Sequence, residues 1–367
     1  MLQKALVLFF VLTSIAGFIG CGSTSSHYVY ATIPAASQIV VYREDPNSGV
    51  LTQISGSPYA VGQGAISLVL HPSGKFLYVA NPGIGGTAEN DISLFTIARD
   101  GTLTEVTPRT SVAPSASQPK LLIMDPAGSF LYVMNTGSDN ISVFSVDSGS
   151  GALTEVGGSP FLIGALPLNM QLAPSGNFLY VSLASQPNGL IATFSVTAGQ
   201  LTLLGTASTD GINPYGLAIN SAGTYLYAAN SSTSNSIAVF PIDSSGLLAQ
   251  QVQGSPINDG YTDPVAMIFD PSGKYLYVAN QVSNNVAAYS ISSTGLPNAL
   301  TSSTTTNAFS TESSPSFLAT DPSGKYLLVG NQGASAGIQL FSISNGSLSA
   351  RATYGVGNTP SSIAVLQ

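Results

Sequence analysis

Six copies of one phrase, spaced at about 50 residues, restrict this chain to a small set of folds. Each copy consists of an apolar stretch, a Pro-Ser-Gly-like turn and a Phe/Tyr-Leu-Tyr-Val-Ala-Asn run, seen most plainly at residues 270–280 and 321–331. A period of that size, filled with short β-type segments, belongs to propeller blades. Such units bury a continuous core only by stacking on their neighbours.

The repeat extends past the asparagine. A variable loop leads into a strand ending on an aromatic residue at Tyr42, Phe95, Phe144, Phe194, Phe240, Tyr289 and Phe341, which makes seven units. A Gly-Xaa-Leu-Thr-type segment then reads as an outer strand at Leu51-Thr52, Leu103-Thr104, Leu153-Thr154 and Leu201-Thr202. Most loops back to the next apolar stretch close on a proline: Pro119, Pro167, Pro214, Pro264, Pro315 and Pro360. The spacing predicts an all-β, seven-bladed β-propeller with four antiparallel strands per blade.

The turn between the first and second strands is explained position by position. Asp accepts local hydrogen bonds, Pro presets φ, and Gly fills the fourth place in all six copies, at Gly74, Gly128, Gly176, Gly223, Gly273 and Gly324. In Phe76-Leu77-Tyr78-Val79 both alternating faces are apolar, so each sheet should be covered on two sides by neighbouring blades. The N-terminal unit starts at a second strand, His27-Tyr28-Val29-Tyr30, and the chain finishes on a lone innermost strand after Pro360. Pairing these two completes the seventh blade and removes open sheet edges.

Only 7% of residues are charged and the net charge is -8. No basic cluster could neutralise a phosphate backbone, which excludes nucleic acid as a partner. No linker divides residues 27–367, so one propeller domain, expected to be monomeric, is predicted there. Residues 1–20 have the pattern of an export signal, with Lys4 ahead of an apolar run too short for a comfortable membrane span. Phe18-Ile19-Gly20-Cys21 resembles a bacterial lipobox with Phe18 in place of the usual Leu-like residue. Lipidation of Cys21 is therefore expected, with residues 21–26 as a tether to the membrane of the cell envelope, the body facing the periplasm or the cell surface. Cys21 is the only cysteine, so no disulfide framework is expected.

Residues 27–367 resemble the seven-bladed lactonase family, whose best-known activity is 6-phosphogluconolactonase, and also surface propellers with Tyr-Val-Thr-Asn repeats. Tyr78-Val79-Ala80-Asn81 and Tyr277-Val278-Ala279-Asn280 carry both resemblances. The absence of Trp argues against Trp-Asp repeat and Trp-docked quinoprotein propellers. The lactonase resemblance implies Arg- or His-type residues just after the strand-opening prolines and Glu just after the strand-end asparagines. Here Lys120-Leu121, Leu168-Asn169, Tyr215-Gly216, Val265-Ala266, Ser316-Phe317 and Ser361-Ser362 follow the prolines, and Pro82, Thr136, Ser231, Gln281 and Gln332 follow the asparagines.

Neither histidine replaces the missing set. His71 aligns with Asp125, Asp270 and Asp321 in the turn, which predicts a structural role, and His27 begins the first strand. The carboxylates look scattered, so neither a metal site nor a cofactor is expected. The recurring Asn81, Asn135, Asn230, Asn280 and Asn331 read as caps of their own loops. Gln118, Lys120, Asn169, Asn213, Tyr215, Tyr261 and Asp263 flank the strand-opening prolines and are the candidate ligand-binding residues of a central funnel. Missing His, Arg and Glu favour an anchored propeller that binds a small molecule, glycan or envelope protein without catalysis. The alternative is a lactonase acting on a sugar lactone, with Asp263 as base and Lys120 as oxyanion partner.

Overall fold

The computed structural model describes residues 26–84, 89–112, 114–164, 166–258, 260–300, 307–333 and 336–366. Seven separate antiparallel sheets follow one another along the chain. Their innermost strands are Ser67–Leu70, Pro119–Met124, Pro167–Leu172, Pro214–Ile219, Pro264–Phe269, Pro315–Thr320 and Ser362–Leu366. Each of these touches the next around a complete circuit, the last against the first. Blade 1 is the sheet of the chain ends, and blades 2 to 7 follow in sequence order.

Closure occurs as the sequence predicts. Ser362–Leu366 pairs antiparallel with His27–Ile33, from Tyr28 opposite Leu366 to Thr32 opposite Ser362. Ser361 locks the seam: its N–H donates to Thr32 O at 3.0 Å, and its hydroxyl lies 2.9 Å from Thr32 Oγ1 and donates to Ile66 O at 2.8 Å.

The hydrophobic core does not lie on the central axis. Seven buried clusters occur, one at each interface between adjacent blades, because both faces of every sheet are apolar. All six residues of Phe76–Asn81 are buried, and so are all seven third-strand aromatics. Placing the core between blades leaves the axis free to hold polar side chains.

Four strands per blade holds with exceptions in the outer position. Blades 1, 3 and 6 split the outer strand into two short pieces, for example Leu51–Gln53 and Tyr59–Ala60 against Gln38–Glu44. A Gly-Ser-Pro step interrupts it in blades 1 and 3, and the serine hydroxyl accepts the ladder N–H instead: Ser57 Oγ from Val41 at 2.8 Å and Ser159 Oγ from Val143 at 2.9 Å. Among the described residues blade 5 has three strands. The Gly-Leu-Leu-Ala-Gln segment there lacks the β-rich Leu-Thr phrase, and two isolated bridges, Ile237 to Ile257 and Ile242 to Leu248, stand in for the fourth.

A repeated contact registers blades 1, 2, 4 and 5 each on the next. The Tyr180 hydroxyl donates to Gly246 O at 2.8 Å, and Tyr78 and Tyr227 make the equivalent bonds to Gly151 and Gly295. Gly246 has φ +83°, and a Cβ there would land on the Phe178 ring. Gly246→Ala is therefore expected to destabilise the fold by about 2–4 kcal/mol, from left-handed strain and overpacking together. Gly260 shares the backbone strain at φ +85° but has open space around it, so Gly260→Ala should cost only about 1–2 kcal/mol. Chemical denaturation of the two variants checks this, and equal losses would contradict the interlock.

Among the described residues no helix is long and apolar enough to cross a membrane.

Candidate active site

The first halves of the inner strands and the loops beyond the strand-end asparagines lie at one end of the ring, and the Pro-Ser-Gly-like turns lie at the other. At the first end a cavity of about 620 Å³ opens on the axis, and all seven innermost strands or the residues beside them contribute to its wall. That size suits a small polar metabolite.

The residue before the opening proline is left-handed in five blades: Gln118, Leu166, Asn213, Asp263 and Ser314. In each case its carbonyl accepts the N–H of the residue after the second strand, as with Gln281 N–H to Asp263 O at 2.8 Å and Gln332 N–H to Ser314 O at 2.9 Å. This prolongs the ladder by one bond and makes a register shift next to the proline. The bulge fixes which side chains face the axis.

Four of the seven predicted residues line the cavity: Lys120, Asn169, Tyr215 and Asp263. The other three do not. The Gln118 backbone N–H donates to Asn90 Oδ1 at 2.8 Å. The Asn213 amide donates to Ser232 Oγ at 3.0 Å, and the Tyr261 hydroxyl donates to Asn307 Oδ1 at 2.9 Å. Sequence reasoning missed Gln281, Gln332, Ser232 and Ser316, which line the same space. The available signal was positional, since Gln281 and Gln332 follow Asn280 and Asn331, where the family resemblance implies Glu.

Among the described lining residues Lys120 and Asp263 are the only charged ones. Asp263 Oδ1 accepts from the Ser231 hydroxyl and from Ser232 N–H at 3.1 Å, while Asp263 N–H donates to Asn235 Oδ1 at 2.8 Å. One carboxylate oxygen is thus fixed, and Oδ2 has no protein partner among the described residues. Lys120 is exposed and makes no ion pair among the described residues. Neutral donors complete the wall: Asn169 Nδ2 donates to Tyr215 O at 2.5 Å, Gln281 Nε2 to Ser316 Oγ at 2.9 Å, and Gln332 Nε2 to Pro360 O at 3.2 Å. A carboxylate with a free oxygen, an ammonium and several amides can orient a polyhydroxylated ligand and serve hydrolytic acid–base chemistry.

The strand-end asparagines stay out of this site. Asn81, Asn135, Asn230, Asn280 and Asn331 are buried; the amides of the first four reach across the hairpin, and Asn331 Nδ2 donates to Val329 O of its own strand at 3.3 Å. Asn135 Nδ2 donates to Asn140 Oδ1 and Ser142 Oγ, both at 2.9 Å, and Asn280 Nδ2 donates to Asn285 Oδ1 at 2.8 Å.

His71 has the structural role its position implies. Nδ1 accepts from Ser73 N–H at 3.1 Å, and Nε2 lies 2.9 Å from Gly128 O as a donor. His27 corrects the expectation of scattered carboxylates. At the turn end it is buried with Glu44 and Asp321. Burial, then the neighbouring Asp321 carboxylate, pushes Glu44 up to about 8. Cys21 lies outside the described residues.

Over residues 23–162, 167–262, 232–309 and 264–365 the chain matches the family described as "Lactonase, 7-bladed beta-propeller". It is 28% identical over 353 residues to the 6-phosphogluconolactonase of Sodalis glossinidius (strain morsitans), which covers 92% of this chain and 98% of that protein. Identity to the 6-phosphogluconolactonase of Yersinia pestis (strain Pestoides F) is 27%, across 90% of this chain and 96% of that one. The solved periplasmic gluconolactonase of Pseudomonas aeruginosa superposes with a TM-score of 0.73 at 18% identity, across 93% of this chain and 99% of that one. At that identity the likeness establishes the fold alone.

Proposed function

The chain belongs to the seven-bladed β-propeller lactonase family, and from that membership we propose that it is a lactonase that hydrolyses an unphosphorylated sugar lactone in the central funnel. The observation that carries the reading is the pair Lys120 and Asp263, a cation and a carboxylate in a mixed polar and apolar cavity whose other described lining residues are uncharged. The non-catalytic binding reading rests on the absent His, Arg and Glu. Relatives named 6-phosphogluconolactonase support the enzymatic alternative instead.

In this mechanism the Asp263 carboxylate takes a proton from a water molecule as that water attacks the lactone carbonyl carbon. Lys120 stabilises the negative charge that develops on the carbonyl oxygen. The tetrahedral intermediate collapses with cleavage of the ring C–O bond, and the proton held by Asp263 passes to the departing ring oxygen. Water is consumed and an open-chain hydroxy acid leaves. Asn169, Gln281 and Gln332 supply hydrogen bonds to the sugar hydroxyls.

The single ammonium also bears on substrate class. A phosphate monoester carries nearly two negative charges and is usually met by clustered cations, whereas Lys120 is the one cation among the described lining residues and has an oxyanion to serve. Initial rates on glucono-1,5-lactone and on its 6-phosphate should differ in kcat/KM by about tenfold or more in favour of the plain sugar. Preference for the phosphate would refute this assignment of substrate, and no turnover of either would refute the lactonase reading.

Export and lipid anchoring at Cys21 form part of the same proposal, with residues 27–367 held outside the cytosol. Cys21→Ser is expected to move the protein from the membrane fraction to the soluble fraction. Membrane retention of that variant would contradict the anchor.

A further inference from the structure

The internal repeat offers its own reference for residues that are out of place. Two positions after the third-strand aromatic, six blades carry Ile97, Val146, Val196, Ile242, Ile291 or Ile343. Blade 1 carries Glu44. Directly across the ladder His27 pairs with Glu44, at the place that the other blades fill with Lys75, Ser129, Asn177, Thr224, Lys274 and Lys325. An ionisable pair has replaced a partly buried aliphatic packed against the interblade core and a surface residue in one blade only.

These side chains are buried and short of partners. Glu44 is 0% exposed and His27 5%, and among the described residues neither Glu44 oxygen nor His27 Nδ1 has a hydrogen-bond partner. Asp321, from the turn of blade 7, meets them from across the seam. It is held in place, with Oδ1 accepting from Tyr326 N–H at 2.6 Å and Oδ2 from Ser323 N–H at 3.1 Å and from the Ser323 hydroxyl. Unpaired buried polar atoms are strongly unfavourable unless something else satisfies them.

We propose that His27, Glu44 and Asp321 bind a divalent first-row metal ion of the zinc class at the seam between blades 7 and 1. The three ligand atoms lie within 4.8 Å of one another. His27 Nδ1 is 3.4 Å from Glu44 Oε2 and 4.0 Å from Asp321 Oδ2. Tetrahedral zinc with ordinary bond lengths sets its ligand atoms about 3.4 Å apart, so small side-chain rotations complete the set. One imidazole and two carboxylates suit zinc and its first-row neighbours, and two carboxylates match the charge of the ion. The Ser323 and Tyr326 bonds orient Asp321 as outer partners commonly orient metal-binding carboxylates. The site lies at the end of the ring opposite the funnel, so the ion would act on closure, joining the first residue of the N-terminal strand to the last blade.

The test is isothermal titration of zinc chloride into the full chain, purified in detergent and stripped with chelator, alongside Glu44→Ile and His27→Lys. Both substitutions restore residues that other blades carry at those positions, and each provides the test should the other fail to fold. The expected result is one zinc per wild-type chain with a higher thermal midpoint, and binding weakened about 100-fold or more in either folded variant. Absence of saturable binding in the wild type would overturn the site, as would undiminished binding in a folded variant. A wild type indifferent to zinc, together with a more stable Glu44→Ile, would mark a buried ion pair and overturn it equally. Lactone turnover does not enter this test, so its outcome is separate from that of the funnel.

Discussion

Removing residues 360–367 is expected to abolish the cooperative thermal transition or lower its midpoint by more than about 10 °C. The deletion strips the five paired positions from Tyr28–Leu366 to Thr32–Ser362 and leaves the edge of His27–Ile33 bare. It also withdraws Ile363 and Val365 from the core between blades 7 and 1, and Ala364 and Leu366 from that between blades 1 and 2. Partial burial of those side chains and the lost ladder bonds together are worth about 5 kcal/mol, which is comparable to the whole stability of many domains. The Ser361 bonds to Thr32 and Ile66 are lost with them. Differential scanning calorimetry against the intact chain decides the matter. An unchanged midpoint would mean that the ring does not depend on its seam.

Asp263→Asn is expected to lower kcat for lactone opening about 10²- to 10⁴-fold with little change in KM, the range associated with loss of a general base. The substitution is nearly isosteric. An amide oxygen can still accept the Ser232 N–H that now meets Asp263 Oδ1, so the local bulge should persist. What is lost is the capacity to take a proton. Lys120→Met removes the charge while keeping an apolar stem, and should reduce kcat about 10²- to 10³-fold, as for loss of an oxyanion donor. Far-ultraviolet circular dichroism and thermal midpoints of both variants should match the wild type, because neither residue contributes to the interblade cores. Full activity in either variant would remove that residue from the mechanism.

The fold was legible because its determinants repeat. An apolar strand, a Pro-Ser-Gly-like turn and an aromatic third strand each recur at one spacing, and a ring made only of neighbour contacts requires little else. Legibility failed where one copy departs from the phrase. Blade 5 carries Leu248-Ala249 where blades 1 to 4 carry Leu-Thr, and its outer strand reduces to two bridges. The funnel was half legible for a related reason. Position beside a strand-opening proline predicted Lys120, Asn169, Tyr215 and Asp263, yet the same rule admitted Gln118 and Asn213, which hydrogen-bond to other loops and do not line the cavity. Which side chains reach the centre depends on bonds between segments far apart in sequence. His27, Glu44 and Asp321 show the same limit, because nearly the whole ring separates Asp321 from the other two and only closure joins them.

The central claim is tested most directly by the initial rate of glucono-1,5-lactone opening with the purified protein, corrected for spontaneous hydrolysis and run beside Asp263→Asn. A rate well above background that collapses in the variant is the predicted result. A wild-type rate no higher than background, or equal rates for the two proteins, would contradict a lactonase site in the funnel.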